Sequence, residues 1–214
     1  RGRVRRGHVC PLAEGTGLTA PIGEWVLQPS CAADAKSPAD LGIAVNLSTA
    51  QFRSQELVAV IVGALASSGI APGRLELEVT ETAIMDDSEV VFAALGQLQK
   101  LGVRIALDDF GTGYSSLSFL QKFPFDKIKI DRSFVNELSS AREESRLIAG
   151  AVVRFAVSLG KTTTAEGVET REQWDLLSEA ACAEMQGYYF SAPVHATEVE
   201  QMLRAGIEAS ANAA

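Results

Sequence analysis

From Pro11 onward, short runs of apolar and β-branched residues alternate with longer segments of helical spacing. Strand and helix in repeated succession build a parallel sheet covered by helices, because each helix carries the chain back to start the next strand in the same direction. Strands are expected at Ile43–Asn46, Leu75–Val79, Arg104–Asp108, Lys127–Ile130, Lys161–Ala165 and Ala183–Gln186. Helices are expected at 11–33, interrupted around Pro21-Ile22-Gly23, and at 54–68, 86–101, 115–121, 141–159, 171–180 and 196–206. Val58, Ile61, Val62 and Leu65 have the i, i+3, i+4, i+7 spacing of a core-facing stripe. Gly69, Gly102 and Gly160 each stand just past a helix, where a residue of positive φ commonly ends it. The chain therefore reads as α/β, with six strand-helix units and no linker.

Each expected strand also ends on a polar residue. Asn46, Glu78, Asp108 with Asp109, Lys129, Glu166 and Gln186 occupy the carboxyl ends of the six in turn. Any one of them reads as an incidental rim residue. Six in succession point to a (β/α) barrel, where all strands deliver their carboxyl ends to one face and the active site is built there. Carboxylates converging with an amide oxygen repel one another unless cations neutralise them, so a hard, oxygen-ligated divalent ion of the Mg or Mn kind is the economical explanation. Lys129 adds a fixed positive charge and is expected to pair with those carboxylates when no metal is present. Such a set suits a phosphate ester. The stretch 108–117 (DDFGTGYSSL) reads equally as a phosphate-facing loop or as a tight turn with a helix cap. Lys127-Ile128-Lys129 also suits the enolase-type barrels, whose metal carboxylates follow their strand lysine. Here Asn46, Glu78 and Asp108 precede it, which favours phosphoester hydrolysis.

Composition narrows the partners. A formal net charge of -8 provides no field to hold DNA or an anionic membrane. The apolar stretches are broken well short of the ~20 residues a membrane span needs, and a cytoplasmic location is expected. Three widely spaced cysteines and two histidines argue against a disulfide framework and against zinc. Residues 1–10 carry four Arg in the first six positions and are expected to be a disordered basic lead-in, with one domain over 11–206 and a flexible tail over 207–214.

The motifs, taken in order, resemble the EAL family of cyclic di-GMP phosphodiesterases. Pro11-Leu12-Ala13-Glu14 with Pro21-Ile22-Gly23-Glu24-Trp25 is similar to that family's early helical segment, Val45-Asn46-Leu47-Ser48 to its asparagine strand, and Leu77-Glu78-Val79-Thr80-Glu81-Thr82 to its ExTE strand. DDFGTGYSSL at 108–117, KIDRSFV at 129–135, AEGVET at 165–170 and QGYYFSAP at 186–193 complete the resemblance. It implies a TIM-type barrel that uses two Mg or Mn ions to open cyclic di-GMP to the linear dinucleotide. By the same resemblance Asn46, Glu78, Asp108 and Asp109 are metal positions, and Lys129, Glu166 and Asp109 are catalytic positions. Glu81 and Gln186 support the loop and the substrate. No strand bearing Glu-Ala-Leu precedes Pro11 in this sequence, so six of the eight barrel strands and an impaired activity are expected. The alternative is a non-catalytic cyclic di-GMP receptor or interaction module. A homodimer and an upstream sensory or cyclase domain are further expectations of the resemblance.

Overall fold

The computed structural model of the protein describes residues 9, 12–13, 15–54, 56–86, 88–112, 125–140 and 142–205. Most of the basic lead-in, the helix expected at 115–121 and the expected tail lie outside the described residues. The six strands are β1 (Ile43–Leu47), β2 (Leu75–Thr80), β3 (Arg104–Phe110), β4 (Lys127–Ile130), β5 (Thr162–Glu166) and β6 (Glu184–Gln186), and their order in the sheet is their order in the chain. The described helices are α1 (Thr19–Asp34), α2 (Thr49–Phe52), α3 (Leu57–Ser68), α4 (Glu81–Asp86), α5 (Ser88–Lys100), α6 (Arg132–Leu138), α7 (Glu143–Ser158), α8 (Arg171–Glu179) and α9 (Ala196–Ala205). The described residues up to Leu107 form one compact unit and those from Asp108 onward another.

In the first unit β1 pairs with β2 in parallel, Ala44 opposite Glu76 and Asn46 opposite Glu78. Leu75, Leu77 and Val79 alternate with these acids along β2 and are fully buried. Helix α1 runs unbroken through Pro21, against the interruption expected there. Pro21 is its third residue, where the N–H has no partner within the helix and a fixed φ suits the first turn. Ile22 donates to the Leu18 carbonyl at 3.0 Å and carries the helix on. The expected stripe on α3 is also corrected, since Leu57, Ile61, Ala64 and Leu65 are buried while Val62 is 43% exposed. This helix is apolar almost all round, so its covered side is set by what packs on it and not by its own pattern.

The crossover from α1 to β1 is tied down by Arg74. Its guanidinium donates to the carbonyls of Asp34 at 2.7 Å, Leu41 at 2.9 Å and Pro38 at 3.2 Å. Nε also lies 2.9 Å from Asp34 Oδ2, on a side chain only 2% exposed.

The second unit holds β4, β5 and β6 in parallel, with Lys129 opposite Thr164 and Glu166 opposite Gln186. Ile128 and Ile130 lie on one face of β4 and Lys127 and Lys129 on the other, all four buried. Buried ammonium groups need partners. Lys127 Nζ finds Glu184 at 2.7 Å, and the same carboxylate oxygen accepts from the Thr164 hydroxyl at 2.8 Å. Three short helices escape the periodicity of the sequence because they are too short to show it. One of them, α2, starts where Gln51 Oε1 accepts the Ser48 N–H at 3.0 Å, a capping box written S-T-A-Q.

Candidate active site

The candidate residues of the first unit are Asn46 and Glu78, near the ends of β1 and β2, and Glu81, just beyond β2. Asn46 Nδ2 donates to Glu78 Oε2 at 2.9 Å across the β1–β2 register. Glu78 is buried, and so is Glu81, which opens α4, where a negative side chain is favoured by the helix dipole.

The second unit gathers the rest. Lys129 Nζ stands 2.6 Å from Glu166 Oε1 and 3.1 Å from Asp108 Oδ1, with its own side chain 6% exposed. Asp108, Asp109 and Glu166 each present one carboxylate oxygen within 4.8 Å of the others. Asp109 takes φ 55, in the left-handed region that a non-glycine residue seldom enters, at a cost of about 1–3 kcal/mol. Its carbonyl then accepts from the Thr112 hydroxyl at 2.9 Å and the Thr112 N–H at 3.2 Å, which turns the chain sharply after β3. Burial pushes the Asp109 carboxyl above the usual aspartate range, and the charges of Asp108, Asp131 and Glu166 add to this, with Lys129 opposing.

The arrangement suits a hard divalent cation. Asp108 Oδ1 is buried and accepts no hydrogen bond among the described residues, since Lys129 meets it as a charge and not along a hydrogen-bond direction. The donors are all carboxylate oxygens, the set that favours Mg, Mn or Ca over zinc. Gln186 sits opposite Glu166, and its carbonyl accepts the Val168 N–H at 3.0 Å. Asp131 is an acid the strand-end pattern left without a role. Its carboxylate acts on Asp109 while Oδ1 accepts from Ser133 N at 2.9 Å and caps α6. Its signal in the sequence was its place at the end of β4, two residues beyond Lys129. Gly113–Leu117 of the DDFGTGYSSL stretch lie outside the described residues.

Residues 1–193 match the family model of the EAL domain. The chain belongs to the EAL domain family. The match begins at residue 1 and so takes in the basic lead-in. Among relatives of this EAL domain, the bifunctional diguanylate cyclase/cyclic di-GMP phosphodiesterase MucR of Pseudomonas aeruginosa is 40% identical over 202 residues, 92% of this chain and 29% of MucR. A solved structure of the MucR phosphodiesterase in complex with c-di-GMP superposes with a TM-score of 0.87 at 40% identity, covering 93% of this chain and 82% of that one. The manganese/c-di-GMP complex of BlrP1 from Klebsiella pneumoniae gives 0.73 at 32% identity, over 81% of this chain and 44% of that one. The fold is thus the TIM-type barrel of the EAL kind, with six of its strands among the described residues. The EAL domain here spans about a quarter of the length of the first curated relatives it matches. No described helix is long and apolar enough to cross a membrane.

Proposed function

We propose that this EAL domain is a metal-dependent phosphodiesterase that hydrolyses one phosphodiester bond of cyclic di-GMP to the linear dinucleotide. The observation that carries the reading is the group of Asp108, Asp109 and Glu166 around Lys129, in a chain 40% identical to a solved c-di-GMP complex. In this reading Asp108 and Asp109 of the second unit hold the metal, with Mg2+ or Mn2+ as the ion, and Asn46 and Glu78 of the first keep the metal positions that the family resemblance implies. When bound, the ion supplies charge neutralisation at the phosphate and lowers the pKa of the attacking water. The protein's own groups do the remainder. Lys129 Nζ, fixed between two carboxylates, offers its proton to a non-bridging phosphate oxygen as negative charge builds there. Asp109 takes the proton of the attacking water, Glu166 pairs with Lys129, and the phosphorus–oxygen bond to the departing ribose breaks as that oxygen takes up a proton from solvent. Glu81 and Gln186 support the loop and the substrate.

The buried free thiols of Cys31 and Cys182 suit a reducing compartment such as the cytoplasm. In a longer protein of the MucR kind, a cyclase or sensory domain would supply the input. The test is chromatography of the nucleotide products after incubation with Mn2+. Linear dinucleotide that disappears on chelation supports the proposal. Saturable binding of cyclic di-GMP with no product would replace it by the receptor reading.

A further inference from the structure

The residues that follow Lys129 along the chain press on the backbone of both acid-bearing strand ends. Helix α6 begins immediately after Asp131, whose Oδ1 takes the Ser133 N–H and whose carbonyl takes the Phe134 N–H at 3.1 Å, so its first turn is held at both ends. Gly111, two residues beyond Asp109, has φ 97, and a Cβ there would lie 2.5 Å from Phe134 Cε2 and 2.8 Å from Cζ. Gly167, next to Glu166, has φ 70, and a Cβ there would lie 2.5 Å from Arg132 Cβ. Glycine at both places lets the first turn of α6 sit closer to β3 and β5 than any side chain would permit. One stretch of six residues, 129–134, therefore grips the carboxylates by charge at Lys129 and braces the chain bearing them at Arg132 and Phe134.

We infer that Phe134 is a positioning residue: its ring, seated on Gly111, holds Asp109 in its left-handed conformation and so sets that carboxylate against Asp108 and Glu166. The inference rests on the proposed cation site for its functional consequence, though not for its geometry. A helix whose start is capped by the Asp131 side chain offers a support, whereas the backbone at Asp109 is disfavoured by itself and needs one. Loss of the ring frees the β3 end to relax to ordinary φ, which swings the Asp109 carboxylate away from its two neighbours. Groups that orient metal ligands without touching the metal typically alter metal affinity or activity by roughly 10- to 100-fold when removed.

The experiment uses the full chain with Phe134→Ala, Phe134→Leu and, as a core control far from the acids in sequence, Val153→Ala. Below each variant's melting temperature, Phe134→Ala should raise the half-saturating Mn2+ concentration and lower kcat for cyclic di-GMP roughly 10- to 100-fold. Phe134→Leu, which keeps apolar bulk at the contact, should recover most of the loss. Val153→Ala should keep the wild-type Mn2+ midpoint while losing stability. Hydrogen exchange over residues 108–112 should rise in Phe134→Ala relative to the rest of the second unit. A folded Phe134→Ala with the wild-type Mn2+ midpoint and unchanged exchange at 108–112 overturns the inference. Should the wild type show neither turnover nor a metal response, the phosphodiesterase reading fails, and exchange at 108–112 alone decides whether Phe134 holds Asp109.

Discussion

Lys129→Met removes a side chain that pairs with both Asp108 and Glu166, at 3.1 and 2.6 Å, and leaves three carboxylates within 4.8 Å of one another. At that spacing and an effective dielectric of about 20, each pair of ionised carboxylates repels by roughly 3.5 kcal/mol. The site relieves part of this by protonating Asp109, whose pKa already lies above the usual range. What remains is the cost of breaking a buried ion pair by removing one partner, about 3–5 kcal/mol. For a domain of this size that corresponds to a melting temperature lower by roughly 6–20 °C. Divalent cation should reverse the loss, since an ion at 100 times its Kd adds about 2.7 kcal/mol to the folded state. The Met variant should also bind the ion more tightly than wild type, because a competing positive charge has gone, while losing turnover. Urea melts of both proteins, with and without Mn2+, measure the stability loss and its reversal by the ion, a thermal melt gives the shift in melting temperature, and product chromatography measures turnover. Equal stability of the two proteins without metal would refute the claim that Lys129 neutralises the group.

Arg74→Met should lower stability by about 3–5 kcal/mol, because it strands the buried Asp34 carboxylate and removes the donors to the Asp34 and Leu41 carbonyls; urea midpoints check it, and a change below about 1 kcal/mol would contradict it. Asp109→Asn should stabilise the metal-free protein near neutral pH. The folded pKa of this acid is raised, so the wild type regains stability as pH falls through that pKa towards the ordinary aspartate value, and the advantage of the variant should shrink over the same window in urea melts at stepped pH. Cys31 and Cys182 are buried with thiol pKa values raised chiefly by that burial, so both should resist alkylation in the native protein and react only on unfolding, as mass spectrometry after timed labelling would show.

Strand β3 was legible because two-sided burial demands a near-continuous apolar run, and Ile105-Ala106-Leu107 leaves few other options. The polar strand ends were legible for the complementary reason, that a charge at the end of a buried run needs an explanation. The buried side of α3 was not, since Val62 and Ala64 differ only in what covers them. Pro21 misled because proline is tolerated in the first turn of a helix, and this helix runs on through Pro29 as well. At the candidate site the residue types were in the sequence while their pairing was not. Nothing in the spacing of Asn46 and Glu78 shows that the amide nitrogen would face the carboxylate, and the weight of Asp131 on Asp109 appears only once β4 places them in one group. Gly111 lies in a stretch that reads equally as a loop or a tight turn, and its close approach to α6, like that of Gly167, depends on distances no pattern encodes.

The central claim, that the strand-end acids form a divalent cation site, is tested most directly by melting temperature against Mn2+ concentration for the wild type and Asp108→Asn. Asp108 Oδ1 is a buried oxygen that accepts no hydrogen bond among the described residues, and the substitution removes the carboxylate's charge while keeping its shape. The wild type should gain stability with Mn2+ and saturate, as binding to the folded state requires, and Asp108→Asn should lose most of that gain. The same Mn2+ response in both proteins would contradict the account.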